Sequence, residues 1–113
     1  MDITSLFSQA SKGRRVLDIG MGEHSIEYVN KKQWKHEYIK NAASYILGVD
    51  ILEPLVESLI KKGYNVKCMD ATGDGFLGEM FDTVICGDVI EHVNNPVKLL
   101  EFAGRHIKIR EIL

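Results

Sequence analysis

The sequence predicts an α/β domain built around a parallel β-sheet, and two observations favour this fold class. Short apolar runs alternate along the chain with longer segments whose apolar residues recur at helical spacing, which is the pattern of successive β-α-β units. The short runs are rich in Val, Ile, Leu and Cys, as expected for strands that helices cover on both faces. A chain of 113 residues can form one hydrophobic core. We therefore expect a single domain over residues 1–113.

Four strands are predicted. Their ranges are Arg15 to Ile19, Tyr45 to Val49, Asn65 to Met69, and Thr83 to Gly87. Crossover connections between parallel strands are right-handed. With a reversal of direction after the third strand, they give the spatial order 3-2-1-4 that is common in doubly wound sheets.

Two helical segments are predicted around the first strand. A short helix over Thr4 to Ala10 precedes it, and one long or interrupted helix is predicted for Ser25 to Ser44, where apolar residues recur mostly at helical spacing. The second segment carries a basic stretch around Trp34. We interpret that stretch as a solvated helix face; it comprises Lys31, Lys32, Lys35, His36 and Lys40.

Two further helices follow the second and fourth strands. Glu53-Pro54 begins the first of them, because proline is favoured at the first helical position, and Lys61-Lys62-Gly63 ends it. Asn95 is expected to cap the last helix, which begins at Pro96. The predicted buried faces are Leu55, Val56, Leu59 and Ile60 for the first, and Val97, Leu100, Ala103 or Gly104, and Ile107 for the second.

Composition and charge exclude several classes of protein. Fourteen Lys and Arg against sixteen Asp and Glu leave a net charge of -2, whereas nucleic-acid-binding proteins are usually basic, so no nucleic-acid partner is expected. No apolar run approaches the roughly 18 residues of a membrane span, and Met1 to Ser11 lacks the pattern of a signal peptide. We expect a cytoplasmic protein with no membrane association.

The two cysteines predict no metal or redox site. Cys68 and Cys86 both lie in apolar runs, and neither has a second cysteine or a ligand-spaced histidine nearby. Free cysteine behaves as a small buried hydrophobe. We therefore expect both thiols in the core.

A glycine loop and a set of aspartates indicate a ligand site. Gly20 and Gly22 follow the first strand, where glycine permits a tight turn and a close approach of ligand to backbone. Asp18, Asp50 and Asp70 lie at or directly after the first three strands, and Asp88 follows the fourth. Ligands of open α/β sheets bind outside these carboxyl ends. Local turn and capping roles are the alternative for each aspartate.

The acids also bear on the kind of ligand. A pyrophosphate prefers donors and positive helix ends, whereas the ammonium and sulfonium of S-adenosylmethionine are stabilised by an acidic rim. The dinucleotide fingerprint also needs a third glycine where this chain has Ser25. Dinucleotide binding is thus the less favoured of the two hypotheses.

Four segments in order resemble the motifs of class I S-adenosylmethionine-dependent methyltransferases. Val16-Leu17-Asp18-Ile19-Gly20-Met21-Gly22 is similar to the first motif, Gly48-Val49-Asp50-Ile51 to the second, Asp70-Ala71 to the third, and residues 81–93 to the fourth. The Glu91-His92 pair is typical of the small-molecule branch. The resemblance implies a Rossmann-like methyltransferase fold whose carboxyl-terminal strands are missing after the fourth strand and its helix.

The resemblance also implies roles for individual residues. Gly20 and Gly22 would pass close to the methionine part of S-adenosylmethionine, and Asp18 would reach its ammonium directly or through water. Asp50 would accept hydrogen bonds from both ribose hydroxyls, and Ile51 would lie against the adenine face.

The remaining implied roles concern the adenine edge and the methyl group. Asp70 would hold the adenine amine and the Ala71 backbone would contact the ring, while the Gly87-Asp88 turn would lie beneath the methyl group. Glu91 and His92 are the candidates for acid–base catalysis, with helix capping or packing as the alternative. His24 departs from the family, which usually has a third glycine there.

Three functions are compatible with these observations. The first is a methyltransferase that acts on a small-molecule acceptor, the second a non-catalytic cofactor-binding or regulatory module, and the third a nucleotide-binding oxidoreductase fragment. The exposed edge of the fourth strand would also recruit a second copy or a partner chain. The expected contact includes Val84, Ile85 and Val89 together with the segment Ile107 to Leu113.

Overall fold

Four parallel strands form the centre of the domain. A computed structural model describes residues 3–21, 34–86 and 94–108. Its elements, in chain order, are α1 (Ile3–Ser11), β1 (Arg15–Ile19), α2 (Lys35–Ala42), β2 (Tyr45–Asp50), α3 (Glu53–Lys61), β3 (Val66–Cys68), β4 (Thr83–Ile85) and α4 (Pro96–His106). The sheet order is β3-β2-β1-β4, so the predicted fold class and topology are confirmed.

The two central strands lie in the middle of the hydrophobic core. In the parallel register, Leu17 of β1 lies beside Leu47 of β2 on one side and beside Val84 of β4 on the other. All three side chains are buried. Apolar residues with no alternating polar positions fill these strands because helices cover both faces of the sheet.

The faces that α3 and α4 bury differ in part from the predicted ones. Ile60 of α3 is 54% exposed, while the other three residues of its predicted stripe are buried. The prediction for α4 was wrong at two positions, because Val97 and Leu100 are 63% and 44% exposed. The face that α4 buries consists of Leu99, Phe102, Ala103 and His106. The polar His106 can belong to this buried face because hydrogen bonds satisfy both of its ring nitrogens inside the fold.

The third strand is shorter than predicted, and it lies at an edge of the sheet. Of its three residues only Val66 is buried, and Cys68 is exposed. The expectation of a core thiol was therefore wrong for Cys68, because this edge strand is covered at Val66 and open to solvent at its carboxyl end. Cys86 directly follows β4 and is buried, as predicted.

The chain returns to the sheet directly after α4. The backbone N–H of Phe81 donates to the His106 carbonyl at 2.7 Å, and the N–H of Lys108 donates to the Phe81 carbonyl at 2.8 Å. These bonds form a parallel bridge between Phe81 and Ile107 just before β4.

The chain itself covers part of the surface that was expected to recruit a partner. Val84 and Ile85 are 0% exposed and Ile107 is 8% exposed, so the chain itself buries three of the expected contact residues. Val89 and residues 109–113 lie outside the described residues. Within the described ranges, no helix combines the length and the apolar character that a membrane crossing requires.

Candidate functional site

A cavity of about 610 Å³ opens at the carboxyl ends of β1, β2 and β3. Its walls come from residues 19–20, 49–52 and 69–72, which end or follow these strands, and from residues 94–95 and 98–99 at the start of α4. Because the strands are parallel, their carboxyl ends meet at one edge of the sheet. The topology therefore brings together the segments that the sequence singled out.

Gly20 forms the turn that leads away from β1. Its φ of 70° lies in the left-handed region, where a side chain would strain the backbone and glycine does not. The Gly20 N–H donates to the Val49 carbonyl at 2.8 Å, which holds the turn against the end of β2. Gly20 lines the cavity, and Gly22 lies outside the described residues.

Asp50 and Ile51 form the cavity wall at the end of β2. Asp50 is 8% exposed, and its Oδ1 accepts a hydrogen bond from the Leu52 N–H at 3.0 Å, which fixes the carboxylate relative to the backbone. Ile51 is 64% exposed. This pair offers an oriented acceptor beside an accessible apolar surface, and such a combination suits a ligand with hydroxyl groups next to a flat ring.

Asp70 and Ala71 line the neighbouring wall. The Asp70 Oδ1 accepts from the Thr72 N–H at 2.9 Å and from the Thr72 hydroxyl at 2.6 Å. The Thr72 hydroxyl and N–H lower the pKa of the Asp70 carboxyl, because both donate to its charged form. Asp70 is therefore an ionised acceptor at neutral pH.

The loop that follows Asp70 is fixed against α4. The Leu77 N–H donates to His106 Nε2 at 2.9 Å, and His106 Nδ1 donates to the Phe102 carbonyl at 2.7 Å. The Arg105 guanidinium donates to the Gly73 carbonyl at 2.6 Å. Burial lowers the pKa of His106, and the Leu77 bond requires Nε2 to carry no proton. A neutral histidine thus anchors the loop that continues from this wall of the cavity.

Asp18 does not line the cavity. It is 0% exposed. Its Oδ1 accepts from Lys35 Nζ at 2.9 Å and its Oδ2 from His36 Nδ1 at 2.7 Å. Burial opposes ionisation of this carboxyl, but the Lys35 charge and the His36 hydrogen bond outweigh burial and lower its pKa. Asp18 is therefore a buried carboxylate that the protein itself neutralises.

The same contacts overturn part of the prediction for the basic stretch. Lys35 and His36 are 8% and 0% exposed, so they do not belong to a solvated helix face. Both turn inward because Asp18 supplies a charge and an acceptor there. Lys40 is exposed as predicted.

The structure adds wall residues that the sequence did not reveal. Asn94, Asn95 and Lys98 lie across the cavity from the strand ends, at the start of α4, where the Asn95 side chain accepts from the Lys98 N–H at 3.1 Å. The Asn95-Pro96 capping signal predicted the start of the helix but gave no information on which cavity it borders. The remaining predicted site residues lie outside the described residues; they are Gly87, Asp88, Glu91 and His92.

The fold and the cavity together define a class of protein. A parallel sheet in this order, with a glycine turn and strand-end acids beside one cavity, is a Rossmann-like fold. A family model described as "Methyltransferase domain" matches residues 1–110. The chain therefore belongs to this methyltransferase family. No curated protein sequence matches it significantly.

Solved structures of similar fold include several methyltransferases. The YcgJ protein from Bacillus subtilis is 21% identical, with a TM-score of 0.68 over 93% of this chain and 45% of its own. A TehB-like S-adenosylmethionine-dependent methyltransferase from Corynebacterium glutamicum is 19% identical, with a TM-score of 0.68 over 98% and 62%. An amino pentose methyltransferase from Micromonospora echinaspora, solved with S-adenosylmethionine bound, is 15% identical, with a TM-score of 0.65 over 94% and 44%. The chain thus spans about half the length of most of these proteins.

Proposed function

We propose that the chain binds S-adenosylmethionine in the cavity at the carboxyl ends of β1, β2 and β3, as the cofactor-binding part of a methyltransferase. The observation that carries this proposal is the convergence of Gly20, Asp50 and Asp70 on one cavity in a chain of the methyltransferase family. The fold neighbour solved with S-adenosylmethionine supports the choice of cofactor.

The residues of the cavity fit the chemical parts of this cofactor. Asp50 is an oriented carboxylate that accepts hydrogen bonds from the two ribose hydroxyls. The exposed Ile51 side chain covers a face of the adenine ring. Asp70, which is ionised, accepts from the exocyclic amine, and the Ala71 backbone contacts the ring edge. Gly20 has no side chain to keep the methionine part of the cofactor away from the backbone.

The bound cofactor supplies an activated methyl group on its sulfonium, so the protein mainly aligns the reactants. Gly22, Gly87 and Asp88 complete the proposed site, and Glu91 and His92 are its candidates for acid–base catalysis. All five lie outside the described residues.

We propose a small polar molecule as the methyl acceptor and the cytoplasm as the location. The Glu91-His92 pair, which is typical of small-molecule methyltransferases, supports this acceptor class. The amino pentose methyltransferase among the fold neighbours is consistent with it. The acceptor itself stays a prediction at the level of chemical class.

Calorimetric titration of the chain tests the proposal. We expect binding of S-adenosylmethionine and S-adenosylhomocysteine and none of NAD. Asp50→Ala should lose about 1.5–3 kcal/mol of binding free energy, as is usual for hydrogen bonds to a charged group, which corresponds to a roughly 10- to 150-fold weaker affinity. Glu57→Ala is the matched control, because it removes an exposed carboxylate from α3 away from the cavity.

Two results would contradict parts of the proposal. An unchanged affinity in Asp50→Ala would remove Asp50 from the site. Preferential binding of NAD would instead support a nucleotide-binding oxidoreductase fragment.

A further inference from the structure

Three consecutive residues at the start of α2 hold the glycine turn from both sides. Trp34 Nε1 donates to the Met21 carbonyl at 2.6 Å. Lys35 and His36 hold the two carboxylate oxygens of Asp18 at 2.9 and 2.7 Å. Asp18 and Met21 flank Ile19-Gly20, the part of the turn that lines the cavity. We refer to Trp34, Lys35 and His36 as the α2 clamp.

The α2 clamp is buried, which makes its contacts hard to replace by water. Trp34 is 2% exposed and the other two residues are 8% and 0% exposed. An unpaired carboxylate in such a place is strongly unfavourable, because burial removes its hydration. Lys35 supplies the compensating charge for Asp18, and His36 supplies a second donor. Separating Asp18 from these partners would leave charges uncompensated inside the protein.

Gly48 provides the space for this arrangement. It pairs with Asp18 in the register between β1 and β2. A β-carbon at Gly48 would lie 2.9 Å from His36 Cε1 and 2.7 Å from Met21 Cγ. The absence of a side chain at Gly48 therefore lets His36 reach Asp18 and lets Met21 pack beside it.

We propose that Asp18 and the α2 clamp position the glycine turn for the cofactor, and that Asp18 is not a ligand of the cofactor ammonium. Lys35 and His36 bind the two oxygens of Asp18, the residue is 0% exposed, and its side chain is absent from the cavity wall. Reaching an ammonium in the cavity would break a buried ion pair. This role differs from the one that the resemblance to methyltransferases implies for Asp18. The proposal rests on the proposed function for its ligand, whereas the clamp itself is a feature of the protein alone.

Two probes separate a positioning role from direct contact. S-adenosylhomocysteine carries the ammonium, and its deaminated analogue 5′-(3-carboxypropylthio)adenosine keeps the rest of the amino-acid chain but lacks the ammonium. If Asp18 positions the turn, Asp18→Asn weakens both probes by a similar factor of about ten or more, the value of a lost hydrogen bond to a charged group. If Asp18 contacts the ammonium, only S-adenosylhomocysteine loses affinity, and this result would overturn the proposal. Unchanged affinity for both probes would overturn it as well.

Trp34 reports on the clamp without any ligand. It is the single tryptophan of the chain, so intrinsic fluorescence arises from this position. We expect Asp18→Asn to shift the emission to longer wavelength, because loss of the clamp exposes the indole. Emission identical to that of the unaltered chain would count against the clamp.

A double-mutant cycle gives a second signature. Lys35→Met leaves the Asp18 carboxylate buried without its cation, so we expect weaker binding of both probes and shifted emission. Adding Asp18→Asn removes the uncompensated charge, and the double variant should recover part of both losses. A double variant that binds more weakly than either single variant would overturn the proposal. Lys61→Met, which removes an exposed lysine from α3, should change nothing.

Two further measurements distinguish a failure of the clamp from misfolding of a variant and from failure of the proposed function. If Asp18→Asn does not fold, Trp34→Phe repeats the probe test, because it keeps a buried aromatic ring and removes the donor to Met21. The same two results overturn the proposal. If the unaltered chain binds neither probe, the proposed function fails. The emission of Asp18→Asn and Lys35→Met then decides on the clamp by itself.

Discussion

Adding one methyl group at Gly48 should destabilise the protein, although the same addition at Gly104 should stabilise it. Gly48 lies in the central strand β2, where a β-carbon would approach Met21 Cγ to 2.7 Å, His36 Cε1 to 2.9 Å and Val66 Cγ1 to 3.1 Å. Carbon atoms in contact normally lie about 3.5–4.0 Å apart. Gly48→Ala therefore requires its neighbours to move.

The neighbours of Gly48 have little freedom to move. His36 is 0% exposed and bonded to Asp18, and Met21 is 0% exposed with its carbonyl held by Trp34. Overpacking of a well-packed core typically costs about 1–3 kcal/mol. We expect a loss of about 2 kcal/mol or more in the free energy of unfolding for Gly48→Ala, toward the upper part of that range, because two of the contacts fall on constrained side chains.

Gly104→Ala is the matched control. Gly104 is an exposed residue of α4, and a β-carbon there would meet no heavy atom within 4 Å. Alanine in a helix is more stable than glycine by about 0.5–1 kcal/mol, chiefly because it lowers the entropy of the unfolded chain. The same chemical change should thus have opposite signs at the two positions.

Equilibrium unfolding in urea, followed by circular dichroism, measures both variants. The midpoint should fall for Gly48→Ala and rise for Gly104→Ala, with an unchanged denaturant slope in each case. A Gly48→Ala midpoint equal to that of the unaltered chain would refute the reasoning, since the region between Gly48 and α2 would then be loosely packed.

Three further predictions follow from the exposure of particular groups. Exposed Cys68 should react with a soluble disulfide reagent in the folded protein. Buried Cys86 should react only after unfolding, because burial also raises its pKa to about 11; equal reaction rates of the two thiols in the folded protein would contradict this. Stability should fall as pH drops through 6.5, because His106 has a lowered pKa in the folded state and the unfolded chain then binds the proton more readily. His106→Gln should flatten that slope, and an unaltered slope would exclude His106 as its source. Light scattering at micromolar concentration tests the expected contact with a second copy: because the chain itself buries Val84, Ile85 and Ile107, we expect a monomer, and a concentration-dependent dimer would contradict this.

Much of the fold could be predicted from the sequence because the β-α-β pattern is a strong local signal. The boundaries of β1 were predicted correctly, and α3 begins at the Glu53-Pro54 signal. Helix faces were harder to predict, because they depend on how polar side chains are satisfied. His106 lies on the buried face of α4 because Leu77 and Phe102 provide its hydrogen bonds. Leu77 is 29 positions away in the sequence, so no local pattern indicates this contact.

The strand-end acids show the limit of the same reasoning for the site. One sequence rule predicts where three of these acids lie, namely Asp18, Asp50 and Asp70. It states that acids at the carboxyl ends of parallel strands meet at one edge of the sheet. That rule predicts the edge correctly for all three. It does not predict what covers each acid, and the structure gives them different surroundings.

The difference arises from the segment that packs over each strand end. Asp50 and Asp70 each accept a hydrogen bond from the backbone N–H two positions further along the chain, so their carboxylates stay at the cavity wall. Asp18 is instead covered by Lys35 and His36 from the next helix, 17 and 18 positions further along the chain. A basic pair that looks like a solvated helix face in the sequence can therefore be the internal partner of an acid that motif comparison assigns to the ligand. Such a case is tested by replacing the lysine and the acid singly and together. Each single replacement should lower the stability of the protein, and the double replacement should recover part of that loss.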